Sequence, residues 1–292
     1  MKFQERFAAI TEINQSLAEK NTLKIGGEAE MLVTPRSLDE LSEVVQYCRQ
    51  ENIPIRVLGS GTKVVIREQK VPGVVLELSH PEFSKVEIQG KSVRSGCRSS
   101  LLNLIAQTTV KGLAGFETLV GIAGTLGGCI RCNAGDRWGE IFPRVRRVEM
   151  LNEQGQKVIR EKPNLDLLQT SGNPDHWIVL QVEFELYNDT PMAIEKRLRK
   201  SWIHRKAVFP FSFQAAIRVF KHPRNEKASN LIERAGMGKA KIGAAEISDR
   251  NANWIVAHPG ARAVDILELI DKVHQAVARN CGVSLENEVV IW

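Results

Sequence analysis

Two glycine-rich turns carry the residue types in this chain that best suit a phosphate ligand. The first is Leu58-Gly59-Ser60-Gly61-Thr62-Lys63, and the second is Gly121-Ile122-Ala123-Gly124-Thr125-Leu126-Gly127-Gly128. Glycine lets backbone N–H groups approach a ligand closely and tolerates positive φ, so such turns suit phosphate oxygens. Neither turn matches the GxGxxG fingerprint or the GxxxxGK[ST] phosphate loop. Two interpretations stay open: two halves of one dinucleotide cradle, or tight turns that need glycine for their backbone alone.

A CxxC pair, Cys129 and Cys132, comes directly after the second turn. It has no second CxxC and no nearby histidine pair, so no metal site is expected. A redox pair is one interpretation of these cysteines. The other, which we favour, is that they are small residues packed behind the turn.

The composition sets the class of protein. The chain has 292 residues, of which 43% are hydrophobic and 25% charged, and a formal net charge of +6. This length suffices for a large core divided into two or three lobes. No apolar run approaches the roughly 20 residues of a membrane helix, and the first residues do not resemble a secretory signal. We therefore expect a cytoplasmic protein without a membrane partner. The positive charge suits an anionic ligand, and no motif for specific nucleic-acid binding is visible.

A strand, a helix and a second strand must position the first turn. Apolar residues predict a strand at 31–33 and another at 55–58, which leads the chain into the turn. Between them, Ser37 and Glu40 form a capping box, and apolar residues from Leu41 to Cys48 follow at helical spacing. This pattern predicts a βαβ unit with its ligand loop at the carboxyl end of a strand, where α/β sheets bind ligands.

The rest of the chain predicts mostly antiparallel strands and a few helices. The predicted elements are a hairpin at 86–94, a helix at 99–109, strands at 144–151, 157–160 and 177–186, a basic helix at 191–206, a short helix at 231–236, a strand at 254–257 and a helix at 264–279. The prediction is an α+β fold in three lobes.

Several segments are similar, in order and spacing, to motifs of the bacterial UDP-N-acetylenolpyruvoylglucosamine reductase (MurB) family. Residues 21–27 resemble its NTxRxGG motif, the first glycine turn its GxGSN flavin loop, 115–135 its GLE…GIPGTVGG…NAG segment, 219–223 its SVFKNP motif, 247–256 its QVSxxHANFIVN stretch and 285–289 its LEPEV motif. The resemblance runs from about residue 20 to the end of the chain.

The resemblance implies a three-lobed α+β flavoprotein with a PCMH/VAO-type FAD-binding fold and a C-terminal MurB-type α+β substrate domain. It implies an N-terminal extension at 1–19, a FAD-binding domain at 20–187 with lobes 20–78 and 79–187, and a substrate domain at 188–292. It also implies FAD, NADPH as the reductant, a UDP-sugar ligand and a monomer. In that family, reduced flavin passes a hydride to an enolpyruvyl double bond and makes UDP-N-acetylmuramate for peptidoglycan.

The matched motifs name the residues expected at the site. The expected cofactor-binding residues are Leu58, Gly59, Ser60, Gly61, Thr62, Lys63, Gly121, Ile122, Gly124, Thr125, Gly127 and Gly128, and the expected substrate-binding residues are Lys221 and His222. Lys63 stands where the family's flavin loop has asparagine, and its added charge suits a pyrophosphate.

Two of the three residues that perform the family's chemistry are replaced in this chain. The arginine of YRxS is Gln169, the proton-donating serine of GSxF is Arg218, and the glutamate of LEPEV is retained as Glu288. Losing one donor to a developing anion commonly costs on the order of 10²–10³ in rate. Guanidinium does not release its proton at neutral pH, so water or His222 would have to donate the proton. We predict an Arg218–Glu288 ion pair.

Three hypotheses about function follow from these replacements. The first is a diverged flavoprotein that keeps FAD but has an impaired or altered enolpyruvyl step. The second is a working UDP-N-acetylenolpyruvoylglucosamine reductase with a rearranged proton donor. The third is a non-enzymatic protein that binds a nucleotide sugar or a partner on the inherited scaffold.

Overall fold

The computed structural model describes residues 2–136, 138–161, 177–210 and 215–292. The chain divides into two compact units. Unit 1 comprises Met1–Ile13, Glu30–Ser60 and Pro72–His204, and unit 2 comprises Asn14–Ala29, Gly61–Val71 and Arg205–Trp292. The first glycine turn is one of the places where the chain passes from one unit to the other, between Ser60 and Gly61.

The elements agree in kind with the sequence predictions. Among the described residues, the helices are α1 Phe3–Arg6, α2 Leu38–Gln50, α3 Leu101–Val110, α4 Leu126–Arg131, α5 Pro191–Val208, α6 Ala228–Arg234 and α7 Ala263–Cys281. The strands are β1 Thr11–Ser16, β2 Glu28–Val33, β3 Ile55–Val57, β4 Val64–Val65, β5 Val71–Leu76, β6 Val86–Gln89, β7 Ser92–Gly96, β8 Leu113–Ala114, β9 Gly135–Asp136, β10 Gly139–Glu140, β11 Val145–Leu151, β12 Lys157–Glu161, β13 Ile178–Glu185, β14 Tyr187–Asn188, β15 Ala216–Arg218, β16 Lys241–Ile242, β17 Ala245–Ile247, β18 Trp254–Ala257 and β19 Val290–Ile291.

Helix α2 starts as its sequence predicts, with one difference in the cap. The Ser37 hydroxyl accepts a hydrogen bond from the Glu40 N–H at 3.2 Å, which satisfies one of the unpaired donors of the first turn. The Glu40 carboxylate does not complete the predicted capping box. It accepts instead from the N–H of Arg36 at 2.7 Å and from the Arg36 guanidinium at 2.6 Å. The buried face of α2 consists of Leu41, Val44, Val45 and Cys48, as predicted.

The predicted βαβ unit is present in chain order but not as neighbouring strands. The sheet runs β1-β2-β5-β3, so β5 lies between the two strands that flank α2. β3 is parallel to β5, with Ile55 opposite Val74 and Val57 opposite Leu76. The first glycine turn therefore follows the edge strand of this sheet.

A five-stranded antiparallel sheet, β12-β11-β13-β7-β6, forms the centre of unit 1, as the alternating patterns predict. One row of directly opposite residues, one from each strand, alternates in charge across the sheet. From β6 to β12 these residues are Glu87, Arg94, Glu183, Arg147 and Glu161. Arg147 binds the Glu183 carboxylate at 2.7 Å, and Arg94 lies 3.5 Å from it. Alternate residues of the central strands, such as Val93, Val182 and Phe184, are buried in the same core as α3 and α4.

Unit 2 combines a small antiparallel sheet, β15-β18-β17-β16, with α6 and α7. Helix α7 packs on β16, β17 and α6, and its buried residues recur every three or four positions. They include Ile266, Ile270, Val273 and Val277. A separate parallel pair joins β4 to β19, with Val64 opposite Val290. No helix in the described ranges is long and apolar enough to cross a membrane.

Candidate functional site

The two glycine turns come together within unit 1. A Cβ added to Gly59 would stand 2.5 Å from the Thr125 hydroxyl oxygen, a distance that side-chain carbons do not adopt. Two backbone hydrogen bonds fix the second turn. The Leu126 N–H donates to the Ser99 carbonyl and the Gly127 N–H donates to the Cys97 carbonyl, both at 2.8 Å. Glycine at position 59 thus allows the first turn to lie directly against the second.

Backbone N–H groups at this junction are available to a ligand. Within the described part of the chain, the N–H groups of Gly59, Ser60, Ala123 and Gly124 donate to no other backbone carbonyl. Gly59 and Gly124 are half-buried and Ser60 and Ala123 are exposed, so a ligand can reach these N–H groups, which suit the oxygens of a bound phosphate. The cradle therefore has the chemistry that a dinucleotide cofactor requires.

The other half of the first turn is fixed in unit 2 by Asn21. Gly61 has φ +61°, and a Cβ there would lie 2.5 Å from the Asn21 Cα. The buried Asn21 carboxamide donates to the carbonyls of Leu17 at 2.7 Å and Ile25 at 2.8 Å, and accepts from the Leu23 N–H at 3.0 Å. The segment after Asn21 is thereby held in one shape against the glycine turn.

Backbone pairing in unit 2 carries Glu288 to the ends of two other strands. The Glu288 N–H donates to the Val219 carbonyl at 2.7 Å, directly after β15, and the Val290 N–H donates to the Lys63 carbonyl at 2.8 Å, directly before β4. Arg218 is the last residue of β15. Three side chains that are far apart in sequence, Lys63, Arg218 and Glu288, therefore meet.

The Glu288 carboxylate is bound by two cations. Arg218 donates from Nε to Oε2 at 2.6 Å and from Nη2 to Oε1, in a two-point contact. The Lys63 ammonium lies 2.6 Å from Oε1. The three side chains are 13% (Glu288), 19% (Arg218) and 27% (Lys63) exposed. Burial by itself raises the pKa of Glu288, but Lys63 and Arg218 outweigh burial and bring the pKa below its usual value.

His222 lies beside this cluster as a neutral base. Its Nδ1 accepts a hydrogen bond from the Ala228 N–H at 3.2 Å, which places the proton of the neutral ring on Nε2. The pKa of His222 is lowered, first because neighbouring atoms remove part of its water and then because Arg218 repels the protonated ring. Neutral imidazole is a much weaker proton donor than imidazolium, so His222 is poorly suited to replace the family's serine.

Lys221 is exposed next to the cluster and fixed by the same C-terminal segment. Its N–H donates to the Glu286 carbonyl at 2.9 Å, and its ammonium lies 3.2 Å from the Glu286 carboxylate. Lys221 and His222 thus follow Arg218 along one stretch of chain that runs beside residues 286–288.

The structure confirms the predicted Arg218–Glu288 ion pair and adds a contact that the sequence did not predict. Lys63 was expected to face a pyrophosphate, yet its ammonium binds Glu288. The signal for this contact was the pair of short apolar segments, Val64-Val65 and Val290-Ile291, which can pair as strands. Gln169 lies outside the described residues.

The matches to known proteins together cover nearly the whole chain. A FAD binding domain family matches residues 29–159, and the C-terminal domain family of UDP-N-acetylenolpyruvoylglucosamine reductase matches residues 210–292. Among curated relatives, the reductase of Moorella thermoacetica is 32% identical over 280 residues, which is 96% of this chain and 92% of that protein. The reductase of Syntrophobacter fumaroxidans is 33% identical over 284 residues, 95% of this chain and 82% of that protein.

A solved structure agrees with the sequence relatives. The crystal structure of the MurB reductase from Thermus caldophilus superposes with a TM-score of 0.81 at 27% identity, covering 97% of this chain and 99% of that one. This match confirms the predicted α+β fold, with a PCMH-type FAD-binding domain and a MurB-type C-terminal domain. FAD is the cofactor that these domains imply. The chain belongs to the UDP-N-acetylenolpyruvoylglucosamine reductase (MurB) family.

Proposed function

We propose that this protein is a FAD-binding member of the MurB family in which reduction of the enolpyruvyl group is impaired or altered. One observation carries the proposal. Arg218 stands at the position of the family's proton-donating serine, and it is bound through Nε and Nη2 to Glu288. A guanidinium keeps its proton at neutral pH, so the residue at this position cannot complete the reduction by giving up a proton.

FAD would be held by the N–H groups of Gly59, Ser60 and Gly124 at the junction of the two glycine turns. When bound, FAD would supply the hydride chemistry. The protein would contribute position and electrostatics: a fixed cradle, and a cluster with two cations and one carboxylate. The ligand class that we propose is a UDP-sugar contacted by Lys221 and His222, with NADPH as the reductant, since these are the family's partners.

A second candidate function is an active reductase that makes UDP-N-acetylmuramate for peptidoglycan. The observation in its favour is that Lys63 and Arg218 bring two cations to Glu288, which offsets the charge lost at Gln169. A developing anion could still be stabilised there, and water would have to be the proton donor. The missing acid weighs against this candidate, because His222 is held neutral.

An anaerobic half-reaction assay separates these functions. The FAD-loaded protein is reduced with NADPH and then mixed with UDP-N-acetylglucosamine-enolpyruvate while the flavin absorbance is followed. The proposal expects fast reduction and slow return of absorbance, on the order of 10² slower than in a variant that restores Arg218→Ser and Gln169→Arg. Fast return in the unmodified protein would establish the active reductase instead. A colourless protein that binds UDP-sugars would favour a non-enzymatic binding protein.

A further inference from the structure

We propose that Lys63 is a positioning residue for Glu288: with Arg218 it holds the carboxylate in place and ionised, and it does not serve the cofactor pyrophosphate. The role of Glu288 in the reaction rests on the proposed function, whereas the contact itself does not. Lys63 ends a turn that resembles a flavin loop, so its position in the sequence alone suggests a phosphate partner. The geometry points to a different one.

The first argument is that both the backbone and the side chain of Lys63 contact the same C-terminal segment. The Lys63 carbonyl accepts the Val290 N–H at 2.8 Å, and the Lys63 ammonium lies 2.6 Å from Glu288 Oε1. The strand pair continues beyond this point, since the Trp292 N–H donates to the Val65 carbonyl at 3.0 Å. This pairing fixes the Lys63 backbone beside the C-terminal segment, so only the side chain has to be ordered to form the ion pair.

The second argument concerns the two cations together. Arg218 covers both carboxylate oxygens, and Lys63 covers Oε1 a second time. His222 also lies beside the cluster, and its lowered pKa favours the neutral ring, so it adds no cation. The nearby Lys221 ammonium is paired with Glu286. A carboxylate that is 13% exposed and bound twice stays ionised when either cation is removed, but not when both are. The arrangement therefore predicts redundancy between Lys63 and Arg218.

The third argument is steric and electrostatic. An ammonium whose side chain is only 27% exposed and that contacts a carboxylate at 2.6 Å would have to give up this partner to reach a phosphate. The charged hydrogen bond is of the strong class, and breaking it leaves a largely buried carboxylate with one cation fewer. The N–H groups of Gly59 and Ser60 can bind the cofactor without any such exchange.

The test measures the ionisation of Glu288 and the affinity for FAD separately, in the full-length protein. Protein labelled with ¹³C at glutamate side-chain carboxyls is titrated by NMR, and the Glu288 signal is assigned by its loss in Glu288→Gln. FAD affinity is measured by flavin fluorescence. Both measurements are made on the unmodified protein, Lys63→Met, Arg218→Met and the double variant. Lys241→Met is the matched control, because Lys241 forms a 2.9 Å ion pair with Glu246 in the same unit.

We expect Lys63→Met to raise the titration midpoint of Glu288, and the double variant to raise it by more than either single change. FAD affinity in Lys63→Met should stay within about threefold of the unmodified protein, and Lys63→Arg should restore the Glu288 midpoint. Lys241→Met should leave both measurements unchanged. An unshifted Glu288 midpoint in Lys63→Met, or a loss of FAD affinity of about tenfold or more, would overturn the proposal. Neither outcome depends on whether the enolpyruvyl step occurs.

Discussion

Asn253 binds both backbone polar groups of Phe220 with one carboxamide. Its Nδ2 donates to the Phe220 carbonyl at 2.8 Å, and its Oδ1 accepts from the Phe220 N–H at 2.9 Å. Asn253 is 1% exposed, so water cannot replace it. Phe220 lies between Arg218 and His222 in the chain, and its ring packs edge-on against His274 at 5.0 Å. This carboxamide therefore fixes the backbone on which the cluster residues stand.

Asn253→Ala should lower the free energy of unfolding by about 2–3 kcal/mol, because two buried backbone groups lose their partners. The measurement is a urea unfolding curve. A lower midpoint urea concentration with an unchanged m-value reports the loss of stability. Asn230→Ala is the control, since Asn230 is exposed on α6 and should change the stability by no more than about 0.5 kcal/mol. Equal effects of the two substitutions would contradict the role given to Asn253.

Gly59→Ala should weaken FAD binding, because the new methyl group would press against the Thr125 hydroxyl and push the two turns apart. The contact at 2.5 Å is with Oγ1, whereas the Thr125 Cβ would be at an ordinary 3.7 Å. A strained insertion of this kind costs about 1–3 kcal/mol, which corresponds to a loss of about fivefold to 150-fold in affinity. The measurement is FAD titration by fluorescence. Thr125 is itself an expected cofactor-binding residue, so the comparison is made with Thr125→Ala alone. Adding Gly59→Ala to that variant should cost little further affinity, and a full loss would show that the clash lies elsewhere.

The stability contributed by Glu288 should depend on pH in a defined direction. The pKa of Glu288 is lower in the folded protein than in the unfolded chain, where it is about 4.3. The stabilisation is therefore complete above about pH 4.3, and it is lost as the pH falls from the unfolded pKa through the lower folded pKa. The check is the thermal midpoint of the unmodified protein minus that of Glu288→Gln, measured across this range. Other buried acids cancel in the difference. A difference that grew toward low pH would contradict the assigned direction.

The ring of His222 should titrate below an ordinary histidine and carry its neutral proton on Nε2. Partial desolvation of the ring by neighbouring atoms is the larger cause of the lowered pKa and Arg218 the second, so Arg218→Met should raise the pKa of His222 only part of the way. Nitrogen NMR of the labelled ring measures both the tautomer and the midpoint. A proton on Nδ1 would contradict the hydrogen bond from the Ala228 N–H.

Helices whose apolar residues recur every three or four positions could be predicted from the sequence. The predicted helix at 264–279 is α7, Ala263–Cys281, because apolar residues recur along one face and Gly282 follows it. The position of β5 between β2 and β3 could not be predicted, because local patterns carry no information about which strands become neighbours. The capping box failed for a local reason, because the nearby Arg36 competes for the Glu40 carboxylate.

The site could be predicted in part. The Arg218–Glu288 pair followed from two matched motifs and a simple argument about charge. The pyrophosphate contact of Lys63 stays a prediction, and its contact with Glu288 was not predicted, because a lysine after a glycine turn suits a phosphate as well as a carboxylate. Only the pairing of β4 with β19, a contact between distant parts of the chain, selects the carboxylate.

The alternating row of Glu87, Arg94, Glu183, Arg147 and Glu161 also governs how the five-stranded sheet can assemble. If β11 slipped by two residues along β13, Glu149 would replace Arg147 opposite Glu183, and two carboxylates would face each other. A slip of one residue would turn the charged row toward the core. The row therefore penalises misaligned pairings while the sheet forms, at the centre of the unit that carries the glycine cradle.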